Sequence, residues 1–429
     1  MILERAVSKQ VMKYLTDNDL ISIDQFAFLK NHSTVTSLHR LIDDWFESFN
    51  EGEYVLACFF DVMKCFDSIN HDILLQKLSL YGFKDMPLQW FTNYLQRRQQ
   101  FVTSNGKKPS LQYLSTGVPQ GSALGPLLFI IFINDFPQNI KQSLSNMFAD
   151  DCCIYNSGKN LNETKHIFQD SVNEANGWYT NNNLPINIPK SMCMLSAPAH
   201  VLNRLDDEEK SLNILLNNET LSQVTHTPYL GITVDSALNW NSHVMKLCKK
   251  VSSKLALLNR LRKFIDKHTL LSIYNSIIQP NIDYAISVWG YSSKSNKELI
   301  TRLQHRAARI ICGNMDYINV TGGDLVKQLG LQSIDNHRNY FTAILMYKVA
   351  NEVAPHRLND SFVNTKDTHD IETRSSATNN FQVPEPNFEF YRNCPKYQST
   401  LLWNSLTPQL KVAPSIDTFK RLHKKMYFK

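Results

Sequence analysis

The stretch Asn146-Met147-Phe148-Ala149-Asp150-Asp151-Cys152-Cys153-Ile154-Tyr155 joins two short apolar runs through a pair of adjacent carboxylates. Apolar residues on both sides of so short a connection predict a β-hairpin with Asp150 and Asp151 at its tip. A pair of acids at a hairpin tip is ordinarily a solvated turn, but these flanks predict a buried hairpin. Two like charges held side by side in such a place cost several kcal/mol unless a cation neutralises them.

A third acid joins them. Residues 54–62 are β-prone and apolar, so Asp61 falls at the end of a second buried strand. Three converging carboxylates suit two Mg²⁺ ions, an arrangement that activates an attacking hydroxyl and stabilises the leaving oxygen of an in-line phosphoryl transfer.

Outward from these strands, the spacing predicts helices over 6–14 and 34–49, and a helix capped by Asp67 or Ser68 that runs to about Leu80. Residues 87–97 read as helix and 99–114 as a hairpin around Asn105 and Gly106. Turn formers over 116–126 lead into an apolar helix from Leu127 to Asn134, and a further helix covers 162–181. A second hairpin centres on Tyr229, Leu230 and Gly231. Beyond Trp240 the pattern turns helical, with Val244, Leu247, Val251, Leu255 and Leu258 on one face of a helix and Lys246, Lys250 and Lys254 on another. Residues 355–398, rich in Asn, Thr and Pro, read as loop and linker.

Composition narrows the classes. With 429 residues, 43% of them hydrophobic and 11% aromatic, the chain can bury a large core, which excludes disorder and coiled coils. The longest apolar run, Leu127–Ile133, is roughly half of the ~20 residues that cross a bilayer, so no membrane span is expected. The start, Met1-Ile2-Leu3-Glu4-Arg5, lacks a basic flank and apolar signal core, which predicts an intracellular protein of nucleus or cytoplasm. The eight cysteines show neither a CxxC pair nor zinc spacing and read as buried thiols. Charge is uneven: residues 1–240 hold 18 Lys and Arg against 25 Asp and Glu, and residues 241–429 hold 27 against 14. No acid lies between Asp235 and Asp266 while seven Lys and Arg do, a surface on which a polyanion can lie.

These residues fall in an order that resembles the reverse transcriptases of non-LTR retrotransposons, the jockey-like and related animal elements. The resemblance is carried by Gln25-Phe26-Ala27-Phe28 with His32-Ser33-Thr34, Phe60-Asp61 with Phe66-Asp67 and His71, and Gly117-Val118-Pro119-Gln120-Gly121-Ser122 with Leu124-Gly125-Pro126. It continues through Phe148-Ala149-Asp150-Asp151, Trp178, Asn183-Leu184, Asn187, Lys190 and Tyr229-Leu230-Gly231, and into the segments around Tyr284, Arg306–Arg309 and Trp403-Asn404.

The resemblance implies an α+β right-hand polymerase: fingers and palm, an antiparallel sheet with helices, over 1–238, a helical thumb and connection over 239–350, and a polar C-terminal region over 351–429. It implies an RNA-directed DNA polymerase that extends a primer 3′-OH with deoxynucleotides on an RNA template, using two Mg²⁺ ions, with Mn²⁺ as a substitute. Asp61, Asp150 and the Val62 backbone would hold metal, with Asp151 assisting. Phe66 would exclude a ribose 2′-OH, Gln120 and Gly121 would shape the nucleotide site, and Lys190 would reach the triphosphate. Tyr229, Leu230 and Gly231 would position the primer end, and Lys246, Lys250 and Lys254 would grip phosphates.

The chain also departs from the family pattern. Leu29 stands where an arginine is frequent, with Lys30 beside it as a replacement, and Ala27 replaces a common glycine. The sequence starts almost at the first polymerase motif, and neither an endonuclease domain nor a Cys/His knuckle is found, so nicking activity is expected from another chain. A second reading stays open, a truncated or co-opted copy that binds nucleic acid without polymerising. A third, RNA-to-RNA synthesis, is opposed by Phe66 and by Ala149 of the acidic box.

Overall fold

In a computed structural model, which describes residues 2–96, 99–100, 112–119, 121–367 and 379–428, the chain forms two units that interleave along the sequence. One unit comprises Met1–Ser37, Glu53–Leu195 and Leu205–Val224; the other comprises Leu38–Gly52, Ser196–Arg204 and Thr225–Lys429.

The first unit is built on five strands, β1 (Tyr54–Phe60), β2 (Leu144–Phe148), β3 (Asp151–Gly158), β4 (Met192–Ser196) and β5 (Ser222–Gln223), in the order β2-β3-β1-β4-β5. The expected antiparallel pairs form between β1 and β3 and between β2 and β3, but β4 and β5 run parallel, so the sheet is mixed. Val55 to Phe60 are all buried, which is why β1 reads as a continuous apolar run rather than an alternating one.

The helices of the N-terminal half are α1 (Ile2–Asp17), α2 (Thr34–Asn50), α3 (His71–Leu80), α4 (Asp85–Leu95), α5 (Gly125–Ile133) and α6 (Leu161–Asn181). α6 starts where the Asn160 side chain accepts the N–H groups of Asn162 and Glu163, and it packs on β1 and β3 with Tyr179 against Phe60. The cap of α3 is Asn70, not Asp67 or Ser68. Asp67 and Ser68 donate their N–H groups to Lys64 O at 2.8 and 3.0 Å, so a tight turn uses these residues first and the helix begins only at His71. Short strands Gln99–Gln100 and Gln112–Tyr113 pair as the expected hairpin, while its turn at Asn105 and Gly106 lies outside the described residues.

In the second unit a two-residue turn at Leu230 and Gly231 joins β6 (His226–Tyr229) to β7 (Ile232–Asp235), ahead of α7 (Asn241–Leu261). The predicted α7 stripe, Val244, Leu247, Val251, Leu255 and Leu258, is buried throughout. The described residues of the linker expected over 355–398, namely 355–367 and 379–398, are instead largely packed. Phe362 and Phe381 meet with ring centres 5.8 Å apart, Phe381 N–H donates to Asn404 Oδ1 at 3.0 Å, and Tyr391 and Cys394 are buried. Its polar composition hid a few aromatic anchors that join the core around Trp403 and Phe419. All eight cysteines are free thiols, six of them buried. No described helix is long and apolar enough to cross a membrane.

Candidate active site

Register brings the three acids to one end of the sheet. Phe60 pairs with Cys152 and Phe148 with Asp151, so Asp61 follows β1 next to the turn formed by Ala149 and Asp150. Ala149 takes a left-handed φ of 56°, the kind of backbone a two-residue hairpin connection needs. Met147, Ala149, Cys152 and Cys153 are buried, but both Asp150 and Asp151 are exposed, which corrects the expectation of a buried tip. The apolar flanks belong to the strands, whereas Asp150 lies in the turn between them and Asp151 opens β3.

Asp151 is exposed as a residue, yet protein atoms crowd its carboxyl. That crowding, the charge of Asp150 and the charge of Asp61 together push it up to about 6. Buried Cys65 is pushed up to about 12 by desolvation first and by the charge of Asp150 second, so it is a neutral thiol against the acidic turn. Among the described residues no lysine, arginine or histidine forms an ion pair with Asp61, Asp150 or Asp151. Nor, among the described residues, do three His, Cys, Asp or Glu side chains close into a ready-made metal cluster. The donor set is thus three hard oxygen ligands with uncompensated charge, which fits a divalent cation of the Mg²⁺ type.

The backbone after Asp61 is held by the loop that carries Lys190. Met63 donates to Pro185 O at 2.9 Å and Asn187 donates to Asp61 O at 2.7 Å, closing a bridge between Val62 and Ile186. Because the neighbours make both bonds, the Val62 carbonyl takes no part in that bridge. Buried Ser191 adds a clamp that sequence reasoning missed: its hydroxyl accepts Asp61 N–H at 3.1 Å and donates to Asn187 O at 3.0 Å. Exposed Lys190 is therefore anchored, one residue away, to the backbone of Asp61.

Phe66 is half-buried and stacks on Phe129 of α5, with ring centres 4.6 Å apart. The segment before the Pro-Gln-Gly box lies against it: Val118 donates to Phe66 O at 2.9 Å and Gly117 to Ile69 O at 2.8 Å. At Gly117, φ is +85° and an added Cβ would stand 3.0–3.3 Å from the backbone of Asp67, so only glycine fits. Gln120 lies outside the described residues; Gly121 is exposed with φ +81°. Ser122 ties this loop to α1 and α4, donating to Glu4 Oε1 at 3.1 Å and sharing a 2.8 Å hydrogen bond with the Tyr94 hydroxyl. Leu29 is half-buried and Lys30 exposed, in a loop where Phe28 and Asn31 both have positive φ.

The remaining predicted residues belong to the second unit. Leu230 (φ +44°) and Gly231 (φ +81°) form the turn after Tyr229, and the Tyr284 hydroxyl donates to Leu230 O at 2.7 Å. A Cβ on Gly231 would meet the Tyr284 ring at 3.0–3.2 Å, so the ring seats directly on the turn. Lys246 and Lys250 are exposed on α7. Lys254 is not equivalent to them: its ammonium donates to Ile277 O and Asn281 Oδ1, both at 3.0 Å, beside the π-helical turn Tyr274–Ile278.

Residues 1–234 match the family described as reverse transcriptase (RNA-dependent DNA polymerase). The chain is 27% identical over 354 residues to the probable RNA-directed DNA polymerase from transposon BS of Drosophila melanogaster, covering 79% of this chain and 38% of that protein. It is 26% identical over 361 residues to the RNA-directed DNA polymerase from mobile element jockey of Drosophila funebris, covering 79% and 38%. Among solved structures it is similar to Candida albicans telomerase with a fragment of telomeric RNA, at 12% identity and a TM-score of 0.45, over 77% of this chain and 58% of the telomerase chain. The chain thus spans about 38% of the length of these two curated relatives. With more than half of its 429 residues matched, and with the acids of the Phe-Ala-Asp-Asp turn beside Asp61, the chain belongs to the reverse transcriptase family.

Proposed function

We propose that the chain is an RNA-directed DNA polymerase, extending a DNA primer on an RNA template with deoxynucleotides. The observation that carries this reading is the meeting of Asp61, Asp150 and Asp151 at adjacent strand ends, with no cationic side chain paired to them among the described residues. Asp61, Asp150 and the Val62 carbonyl would hold two Mg²⁺ ions, with Asp151 assisting and Mn²⁺ able to substitute. Bound there, such ions lower the pKa of the primer hydroxyl and neutralise charge on the phosphates. In the reaction the primer 3′-hydroxyl gives up its proton to solvent, its oxygen bonds to the α-phosphorus, the bond from that phosphorus to the oxygen bridging to the β-phosphate breaks, and pyrophosphate leaves.

The protein's own share is placement and proton supply. Lys190, tethered through Ser191 to Asp61, reaches the triphosphate and donates a proton to the leaving pyrophosphate. Phe66, fixed from behind by Phe129, stands against the 2′ position of the incoming sugar. Gln120 and Gly121 line the nucleotide, Lys30 meets its phosphates in place of an arginine, and the Tyr229-Leu230-Gly231 turn seats the primer end. Lys246 and Lys250 contact backbone phosphates of template and primer.

Primer extension on an RNA template with purified protein and Mg²⁺ tests the reading. Deoxynucleotide-dependent extension is expected, lost in Asp150→Asn while primer–template affinity stays within about threefold, because phosphate contacts do not need the metal site. Binding without extension by the parent chain would favour the co-opted binder instead.

A further inference from the structure

Gln25 is fully buried, in the segment that leads into the Phe28–Asn31 loop. Residues 24–26 run along the outer edge of β2. Met147 donates its N–H to Asp24 O at 2.9 Å, and Phe26 donates its own to Met147 O at 2.8 Å, a parallel bridge that adds a strap to the sheet. The Gln25 side chain turns from this strap into the acidic hairpin. Its Oε1 accepts the N–H of Ala27 at 2.8 Å and the N–H of Ala149 at 3.2 Å.

Ala149 is the left-handed residue directly before Asp150. An alanine in that conformation is unfavourable and persists only where its surroundings over-determine it. The other end of the Gln25 amide does the opposite of what a purely structural residue should. Its Nε2 is buried with no hydrogen-bond partner among the described residues. Burying an unsatisfied donor is costly, and an apolar side chain of the same length would fill the space without that cost. What an apolar side chain cannot supply is the acceptor at Oε1.

We propose that Gln25 is the positioning residue of the acidic turn: its side-chain carbonyl fixes the main chain at Ala149 and so sets the direction of the Asp150 carboxylate. Through Ala27 the same oxygen ties that turn to the loop bearing Leu29 and Lys30. The catalytic consequence rests on the polymerase reading above.

The test uses the full chain with Gln25→Met, which keeps the length and volume and loses the acceptor. Ser145→Ala is the control, since it removes the 3.1 Å bond from Ser145 to Asp24 in the same strap without touching Ala149. Single-turnover nucleotide addition, the Kd values of deoxynucleotide and primer–template, and hydrogen exchange at the Ala149 amide are measured. Gln25→Met is expected to slow addition roughly 10- to 100-fold, the scale of a misplaced reacting group. Both Kd values should stay within about threefold, as for a contact that acts on the chemical step. The Ala149 amide should exchange faster, and Ser145→Ala should match the parent in rate.

An unchanged rate, a loss shared equally by Ser145→Ala, or an Ala149 amide as protected as in the parent overturns the proposal. A parent that adds no nucleotide overturns the polymerase reading and the catalytic role with it, while exchange at Ala149 still decides whether Gln25 holds the turn. Should Gln25→Met not fold, combining it with Ala149→Gly removes the cost of the left-handed alanine and supplies the protein for the same comparison.

Discussion

Phe66 shows how one side chain serves packing and selection together. One face stacks on Phe129, and the residue stays half-buried, one position after the Cys65 thiol that lies against Asp150. Phe66→Ala is therefore expected to do two things: admit ribonucleotides by opening space for the 2′-OH, and lower stability by ~1–3 kcal/mol for the lost ring contact. Incorporation of ribo- against deoxynucleotides, with a melting curve, separates the two; an unchanged sugar preference with reduced stability would leave Phe66 a core residue only. At this scale the sequence was legible wherever chemistry resides in a side-chain type, as at Asp61, Asp150 and Asp151. Ser191 acts through its hydrogen bond to the Asp61 backbone, distant in sequence, and no local pattern marks a hydroxyl that does so; Gln25 stands in a motif that the resemblance quotes, but its bond to Ala149 is set only by the tertiary fold. The exposure of the acidic tip was misjudged because apolar flanks report the strands, not the turn between them.

Within α7 the lysine stripe divides by what each ammonium already touches. Lys246 and Lys250 are exposed, whereas Lys254 is spent on Ile277 O and Asn281. Reversing Lys246 and Lys250 to Glu should weaken nucleic-acid binding across all sequences and flatten its salt dependence, while Lys254→Glu should mainly destabilise the fold, by ~1–3 kcal/mol. A steeper or unchanged log–log salt slope in the double variant would remove α7 from the nucleic-acid surface. The same helix carries a pH dependence. His243 is buried, its Nδ1 accepts Thr233 N–H at 3.3 Å, and burial, then the charge of Lys246, lowers its pKa from 6.5 to about 4. Between those values the unfolded chain binds the proton that the folded one refuses, so stability is full above about 6.5 and falls as pH drops towards 4. The loss is on the order of 2–3 kcal/mol, and His243→Leu should remove that part of the acid slope in denaturant titrations between these pH values. Elements with sustained periodicity, such as α7, were legible in the sequence. The start of α3 was not, because the competing turn on Lys64 depends on backbone bonds, and the packed segment after residue 355 was not, because its anchors are sparse among polar residues.

Over the whole chain, the interleaving of the two units has a consequence that a division along the sequence does not suggest. Residues 38–52, most of α2, belong with the second unit although they precede β1. Their contacts explain why. His39 Nε2 shares a 2.9 Å hydrogen bond with the Ser287 hydroxyl, Asp43 Oδ1 accepts Lys396 N–H at 2.9 Å, Glu47 is paired with the Lys396 ammonium, and the Phe49 and Phe390 rings lie 6.2 Å apart. Asn50 Oδ1 accepts Asn387 N–H at 2.8 Å as well. These partners all come from beyond residue 285. A fragment ending at residue 238 keeps the three acids and the whole five-stranded sheet, yet it leaves buried His39, Asp43 and Asn50 of α2 without the backbone and side-chain groups that bond them. Removing one partner from a buried polar contact costs about 1–3 kcal/mol each, and several are lost at once, which is comparable to the 5–15 kcal/mol that holds a domain folded. The fragment of residues 1–238 is therefore expected to lose protection of the α2 amides in hydrogen exchange and to self-associate. Restoring residues 239–429 as a separate chain should return both the protection and the monodispersity. A 1–238 fragment that unfolds cooperatively with α2 as protected as in the full chain would show that the first unit holds this helix unaided.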